Sequence, residues 1–227
     1  MRFSLPVLLS FNGGFVDTAG FLALQGLFTA HVTGNFVTFG ASVALGTSGA
    51  VAKLLALPVF CVVVILARLL GHGLGRQGLP VLRTLLGLKV ALLALGASLA
   101  IWLGPFASGD TPQAILTGMV LVSAMAIQNA VHRVHLSSAP PSTLMTGTTT
   151  QIMIDVADLM LGLAPEAKEA WRQRVLRMGQ AVASFALGCG AAALLFILVR
   201  TDCFVVPPLI ALAGMLLHES APPPKPT

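Results

Sequence analysis

The stretch Val90-Ala91-Leu92-Leu93-Ala94-Leu95-Gly96-Ala97-Ser98-Leu99-Ala100-Ile101-Trp102-Leu103 decides the class of the fold. It lies in a run, residues 90–109, that contains no Asp, Glu, Lys or Arg. An α-helix needs about 20 largely apolar residues to cross the hydrocarbon core of a bilayer. Four more runs, 18–52, 111–132, 134–154 and 178–199, are equally free of charge. The 227 residues include 13 Lys and Arg and 8 Asp and Glu, or 9%, where a soluble domain carries roughly 25%. Hydrophobic residues make up 56% and the mean hydropathy is +0.91. So few polar groups cannot clothe a soluble globule of this size. A soluble enzyme is excluded, and the chain reads as an all-α, polytopic membrane protein.

Six spans can be drawn: about 5–24, 54–72, 84–103, 113–132, 178–199 and 203–218. Two further segments, about 31–47 and 143–163, are apolar but broken by Thr, Gly, Asn and Asp. Basic residues decide whether these two cross, because cytoplasmic loops collect Lys and Arg. With six spans and a cytoplasmic N-terminus, 11 basic residues fall inside and only Lys53 and Arg200 outside. With eight spans the division is 7 against 6 and the bias vanishes. Six spans with both termini cytoplasmic is the better reading. The net charge of +5 and pI near 9.7 follow from that bias, so no nucleic-acid partner is implied. The first span, without a small-residue cleavage site, is read as uncleaved. Pro165, Glu166 and Glu169, followed by Arg172, Arg174 and Arg177, suggest a short interfacial helix over 164–177 that leads into the fifth span. Residues 1–220 form one membrane domain with halves 1–110 and 111–220, and 221–227 is a Pro-rich, disordered tail.

Thr33-Gly34 and Thr146-Gly147 stand 113 residues apart, half the chain length. Each follows a span with polar groups at mid-depth, Asp17 in the first half and Gln128-Asn129 in the second. Each half then reads as span, Thr-Gly segment, span, span. Three crossings is an odd number, so the halves would be inverted, as in many secondary transporters. Non-helical backbone at membrane depth is tolerated only against protein or a water-filled cavity. Thr33 and Thr146 are expected as N-caps of helices whose free N–H groups would suit a polar or anionic solute. The bland alternative is a pair of kinks satisfied by neighbouring helices.

Asp17 stands out among the acids because it lies mid-span with no base nearby in sequence, and intramembrane acids are functional candidates by default. Its expected partner is Arg68, Lys89 or an amide. The candidate path is Asp17, Thr33, Gly34, Asn35, Asn129, Thr146, Gly147 and Asp155, with Asp17 as the proton-coupling group. Asp155 and Asp158 share a helix face. Small residues Ala67, Gly71, Gly75, Gly188 and Ala192 are expected at close helix contacts. Cys61, Cys189 and Cys203 are far apart, and His132 and His135 lack a carboxylate or thiol partner, so no metal, disulfide or cofactor is implied. No catalytic or nucleotide-binding motif occurs, so the chain is not expected to be an enzyme.

The runs Gly14-Phe15-Val16-Asp17-Thr18-Ala19-Gly20-Phe21-Leu22 and Phe28-Thr29-Ala30-His31-Val32-Thr33-Gly34-Asn35 resemble a motif of the bacterial YoaK-like membrane proteins. Gln128-Asn129-Ala130 and Thr143-Leu144-Met145-Thr146-Gly147 are similar to that family's second-half motif. The resemblance covers nearly the whole chain and implies a bacterial inner-membrane protein of about six spans. It brings no substrate and no active-site residues. The expected function is a secondary carrier for a small solute or ion, with a passive channel or a non-transporting scaffold as alternatives. The expected partners are the bilayer and the solute, and a homo-oligomer is allowed for.

Overall fold

A computed structural model describes residues 4–162 and 168–219, and among these every regular element is a helix. The order is α1 (Leu5–Ala23), α2 (Gly34–Leu45), α3 (Ala50–Arg76), α4 (Val81–Leu103), α5 (Pro112–His135), α6 (Met145–Met160), α7 (Lys168–Val199) and α8 (Val206–Glu219). A 3-10 helix, Arg200–Val205, joins α7 to α8. Residues that fix or free the backbone set the ends. Pro sits in the first turn of α1 and α5, where its missing N–H costs nothing. Thr111 caps α5 by accepting the N–H of Ala114 at 3.2 Å. Gly46 closes α2 in the left-handed region, at φ 65°.

Among the described residues five stretches are long and apolar enough to cross a membrane: α1, α3, α4, α5 and Glu169–Leu217, the last holding most of α7 and α8. The six expected spans fall within them. At 1.5 Å per residue, α2 with 12 residues is about 18 Å long and α6 with 16 is about 24 Å. Neither reaches across a core of about 30 Å. α8, with 14 residues and about 21 Å, also falls short and spans only together with the 3-10 turn Arg200–Val205 before it. One expectation needs correction. The charged segment before the fifth span forms no separate interfacial helix, because from Lys168 it runs unbroken into α7 for 32 residues. Its expected Pro165-Glu166 start and the tail 221–227 lie outside the described residues.

α1 and α5 are the central helices, most of their residues buried, whereas α3 and the α7–α8 stretch are largely exposed. Their exposed residues include Val62, Ile65, Leu66, Leu69, Leu187, Leu194, Ile197 and Leu198. Apolar surface this continuous does not face water in a soluble monomer. It fits lipid, and Trp102, 82% exposed at the end of α4, suits the headgroup level. α1 packs on α7, and α5 packs on α3 and α4. α8 packs on α1 and α4, α2 lies on α3, and α6 lies on α7. At the α1–α7 crossing the backbones touch, Gly14 against Phe185 and Gly188 against Phe11. Gly188 thus serves close packing, and Gly71 does so less tightly, since a Cβ there would lie 3.2 Å from the Val81 side chain. Gly75 is in ordinary contact with Val81.

Candidate functional site

Asp17 meets neither Arg68 nor Lys89. Its carboxylate turns to the link between α1 and α2, where Oδ1 accepts the N–H groups of Thr29 and Ala30, each at 2.7 Å, and more weakly that of His31 at 3.4 Å. Gln25 (φ 54°) and Gly26 (φ 85°) turn the chain after α1, which carries the 29–31 backbone back over Asp17. Asn35 completes this half. Its Nδ2 donates to the Phe28 carbonyl at 2.8 Å and its Oδ1 accepts the Phe28 N–H at 2.9 Å. Both ends of that amide are therefore occupied by the protein's own backbone.

The expected helix-start anion site is not found at α2. Thr33 precedes the helix but makes no side-chain cap. The N–H groups of Gly34, Asn35 and Phe36 are already taken by the carbonyls of His31, Val32 and Thr33. Gly34 has a steric reason instead, since a Cβ there would lie 3.0 Å from the Phe28 ring. In the second half Thr146 is not the cap but lies inside the first turn of α6, which Leu144 precedes. Gly147 has open space where a Cβ would stand.

The second half holds its link differently. Gln128 Nε2 donates to the Leu9 carbonyl at 2.9 Å and to Ser142 Oγ at 3.0 Å. Asn129 Oδ1 accepts from Thr143 Oγ1 at 2.7 Å. The α5–α6 link they hold separates two cavities. One, of about 370 Å³, is lined by Asn129, His132, Arg133, Ser137 and Ser142. The other, of about 390 Å³, is lined by Gly147, Thr148, Gln151, Arg174 and Arg177. Asp155, 2% exposed, accepts both Arg174 Nη2 at 2.7 Å and Nε at 3.2 Å, and also Gln151 Nε2 at 2.9 Å. A two-pronged guanidinium–carboxylate pair of this kind fixes α6 to α7 and sets the wall of the second cavity.

The two halves correspond more closely in structure than in residue type. In α2 the buried residues are Asn35 and Ser42; in α6 they are Thr148 and Asp155. Both pairs are separated by the same 113 residues as Thr33 and Thr146. Gly49 and Gly162, at φ 91° and 73°, share that offset too. Ser42 also anchors its helix, by accepting Lys53 Nζ of α3 at 2.6 Å, as Asp155 anchors α6 to Arg174 of α7. Residues 5–217 match the family described as "Protein of unknown function (DUF1275)". The chain belongs to this family. The YoaK-like proteins are members of it, so the resemblance noted in the sequence holds. No curated protein and no solved structure matches the chain.

Of the eight path residues, this DUF1275 chain groups Asp17, Thr33, Gly34 and Asn35 around the α1–α2 link. It groups Asn129, Thr146, Gly147 and Asp155 around α6 and its cavities. No hydrogen bond among the described residues joins the two groups. Sequence reading missed Arg174 and Arg177 as cavity-lining groups, because a basic run beside a span reads first as a topology signal. It also missed Asp110, whose carboxylate accepts the N–H groups of Gly49 (2.8 Å) and Val51 (2.9 Å) and so caps α3 from the α4–α5 link. The neighbouring Thr111-Pro112 marked that stretch as a helix start but did not show that Asp110 serves another helix.

Proposed function

We propose that this DUF1275 protein is a secondary carrier for a small solute in the bacterial inner membrane, with two inverted halves and both termini cytoplasmic. The observation that carries the reading is the matched offset of buried positions, 35 with 148 and 42 with 155. The packing supports it: α1 lies on α7 as α5 lies on α3, and α2 lies on α3 as α6 lies on α7. Paired repeats that each hold a short, interrupted segment against a span are a recurrent carrier plan. Asn129, Gly147 and Asp155 adjoin the cavities through which a solute would arrive, and the arginines there favour an anion. Asp17 would serve proton coupling by a simple device. Protonation would remove the charge that holds the N–H groups of Thr29 and Ala30 and would loosen the first segment.

The test is flux of a broad solute panel into proteoliposomes bearing wild type or Asp17→Asn. Saturable wild-type flux that depends on a pH gradient, and loses that dependence in the variant, is the expected result. Flux with no pH dependence would remove Asp17 from coupling. No flux from either protein would favour the scaffold, and flux that never saturates would favour a channel.

A further inference from the structure

Four helices, α1, α5, α4 and α8, form a ring in which each packs on the next, α8 closing on α1. Its interior is divided. One apolar cluster holds Leu5 and Leu9 of α1, Leu85 and Leu86 of α4, and Ile127 and Val131 of α5. The other holds Phe15 and Val16 of α1, Leu93 and Ala97 of α4, and Leu121 and Met125 of α5. Three polar residues fall at the seam on the same three helices: Asn12, Lys89 and Gln128. All three are 0% exposed.

The register of α4 on α5 puts Lys89 and Gln128 at one level. A Cβ on Gly96 would press on Leu121, while Leu85 shares a small cavity with Ala130 and Val134, so the helices run antiparallel. Lys89 lies seven residues before Gly96 and Gln128 seven after Leu121, which is two turns along facing sides. Gln128 Nε2 reaches Leu9 of α1, one turn from Asn12. Among the described residues, Asn12 Nδ2 and Oδ1, Lys89 Nζ and Gln128 Oε1 have no hydrogen-bond partner. Buried groups of this kind are costly unless paired, and a buried ammonium costs most. Among the described residues the two buried acids are engaged elsewhere, Asp17 with backbone N–H groups and Asp155 with Arg174.

We infer that this layer is the binding site of a compact monovalent anion, taken between Lys89 Nζ and the Asn12 amide. Gln128 Oε1 is left to accept from a hydroxyl on the ligand. Ser142, which accepts from Gln128, also lines the 370 Å³ cavity, so the seam lies directly behind that cavity's wall. The inference rests on the carrier reading only for its purpose. It names the substrate class and takes Lys89 out of the cytoplasmic count, since it lies fully buried within α4, toward the depth where carriers of this plan bind.

The experiment is thermal unfolding of the purified protein in detergent, in sodium gluconate background, titrated with sodium formate, nitrate, bicarbonate or chloride. At least one of these anions should raise the wild-type midpoint saturably, since a ligand of the native state stabilises by mass action. Lys89→Met should unfold no lower than wild type in gluconate and should bind that anion roughly ten- to hundredfold more weakly. Asn12→Leu, read in the same titration, should also weaken binding, and it decides the matter if Lys89→Met does not fold. No shift with any anion, or equal shifts in wild type and variants, would overturn the site. Binding without any flux would leave the site standing and sink the carrier. Flux by wild type and Lys89→Met alike, with no anion shift, would do the reverse.

Discussion

A methyl group added at Gly188 tests the packing on which both halves depend. It would overlap the Phe11 carbonyl oxygen and lie 2.9 Å from that carbonyl carbon and 3.0 Å from Phe15 N. These are backbone atoms of α1, so no side chain can swing aside. A comfortable C···O approach is about 3.3–3.6 Å, so α1 and α7 must part by roughly 1 Å. A gap of that size forfeits a quarter to a half of the dispersion energy across it, and overpacking of this kind costs about 1–3 kcal/mol. For a chain this long each kcal/mol lowers the midpoint by about 2–4 °C, so Gly188→Ala should melt roughly 2–12 °C below wild type. The assay is loss of the monodisperse size-exclusion peak in detergent after graded heating. Gly190→Ala is the control, because nothing lies within 4 Å of its added carbon. Gly14→Ala meets Phe185 at the same crossing, so the double variant should cost less than the sum of the singles. If Gly188→Ala and Gly190→Ala melted together, or the two crossing variants added fully, the backbone contact would not be what holds α1 to α7.

Asp17→Ala strands the N–H groups of Thr29 and Ala30, about 1–3 kcal/mol each, and should lower the same midpoint by more than Asp17→Asn, which keeps an acceptor oxygen. An equal loss from the two would show that the carboxylate does not fasten the link. Topology is tested by a single cysteine at Thr47 or at Gln77, both exposed, in a background without Cys61, Cys189 and Cys203. A membrane-impermeant maleimide added to intact cells should label the first and spare the second, and the opposite pattern would invert the orientation.

The spans were legible in the sequence because water and lipid sort residues by charge, and runs such as 90–109 carry that sorting openly. The basic residues argued that the segments at α2 and α6 do not cross, and their lengths of 12 and 16 residues agree with that reading. The roles of Asp17 and Asn35 were not. A sequence shows that an acid lies deep in a span but not that a turn at Gln25-Gly26 folds backbone N–H groups onto it. The interfacial helix was misjudged for a related reason. The charges of 168–177 argue for an interface, but helix propagation adds one hydrogen bond per residue and nothing between Lys168 and Val199 interrupts it.

The shared offset of 113 residues between buried positions shows most clearly where residue identity misleads. Asn35 and Thr148 differ, as do Ser42 and Asp155, so residue type hides the pairing. What the pairs share is a spacing of seven residues, two turns of one helix face, and the same burial in each half. Burial at a fixed spacing is imposed by the helix that must be packed against, whereas the polar group placed there depends on what the facing helix offers. Ser42 faces the ammonium of Lys53, and Asp155 faces the guanidinium of Arg174. A neutral hydroxyl suffices in the first half because Ser48 also accepts from Lys53, at 3.4 Å. In the second half the fully buried carboxylate carries the pairing with the guanidinium itself. The halves are thus alike in where they bury polar groups and unlike in charge. That difference sets a half-exposed arginine, Arg174, beside α6, where α2 has the buried Lys53.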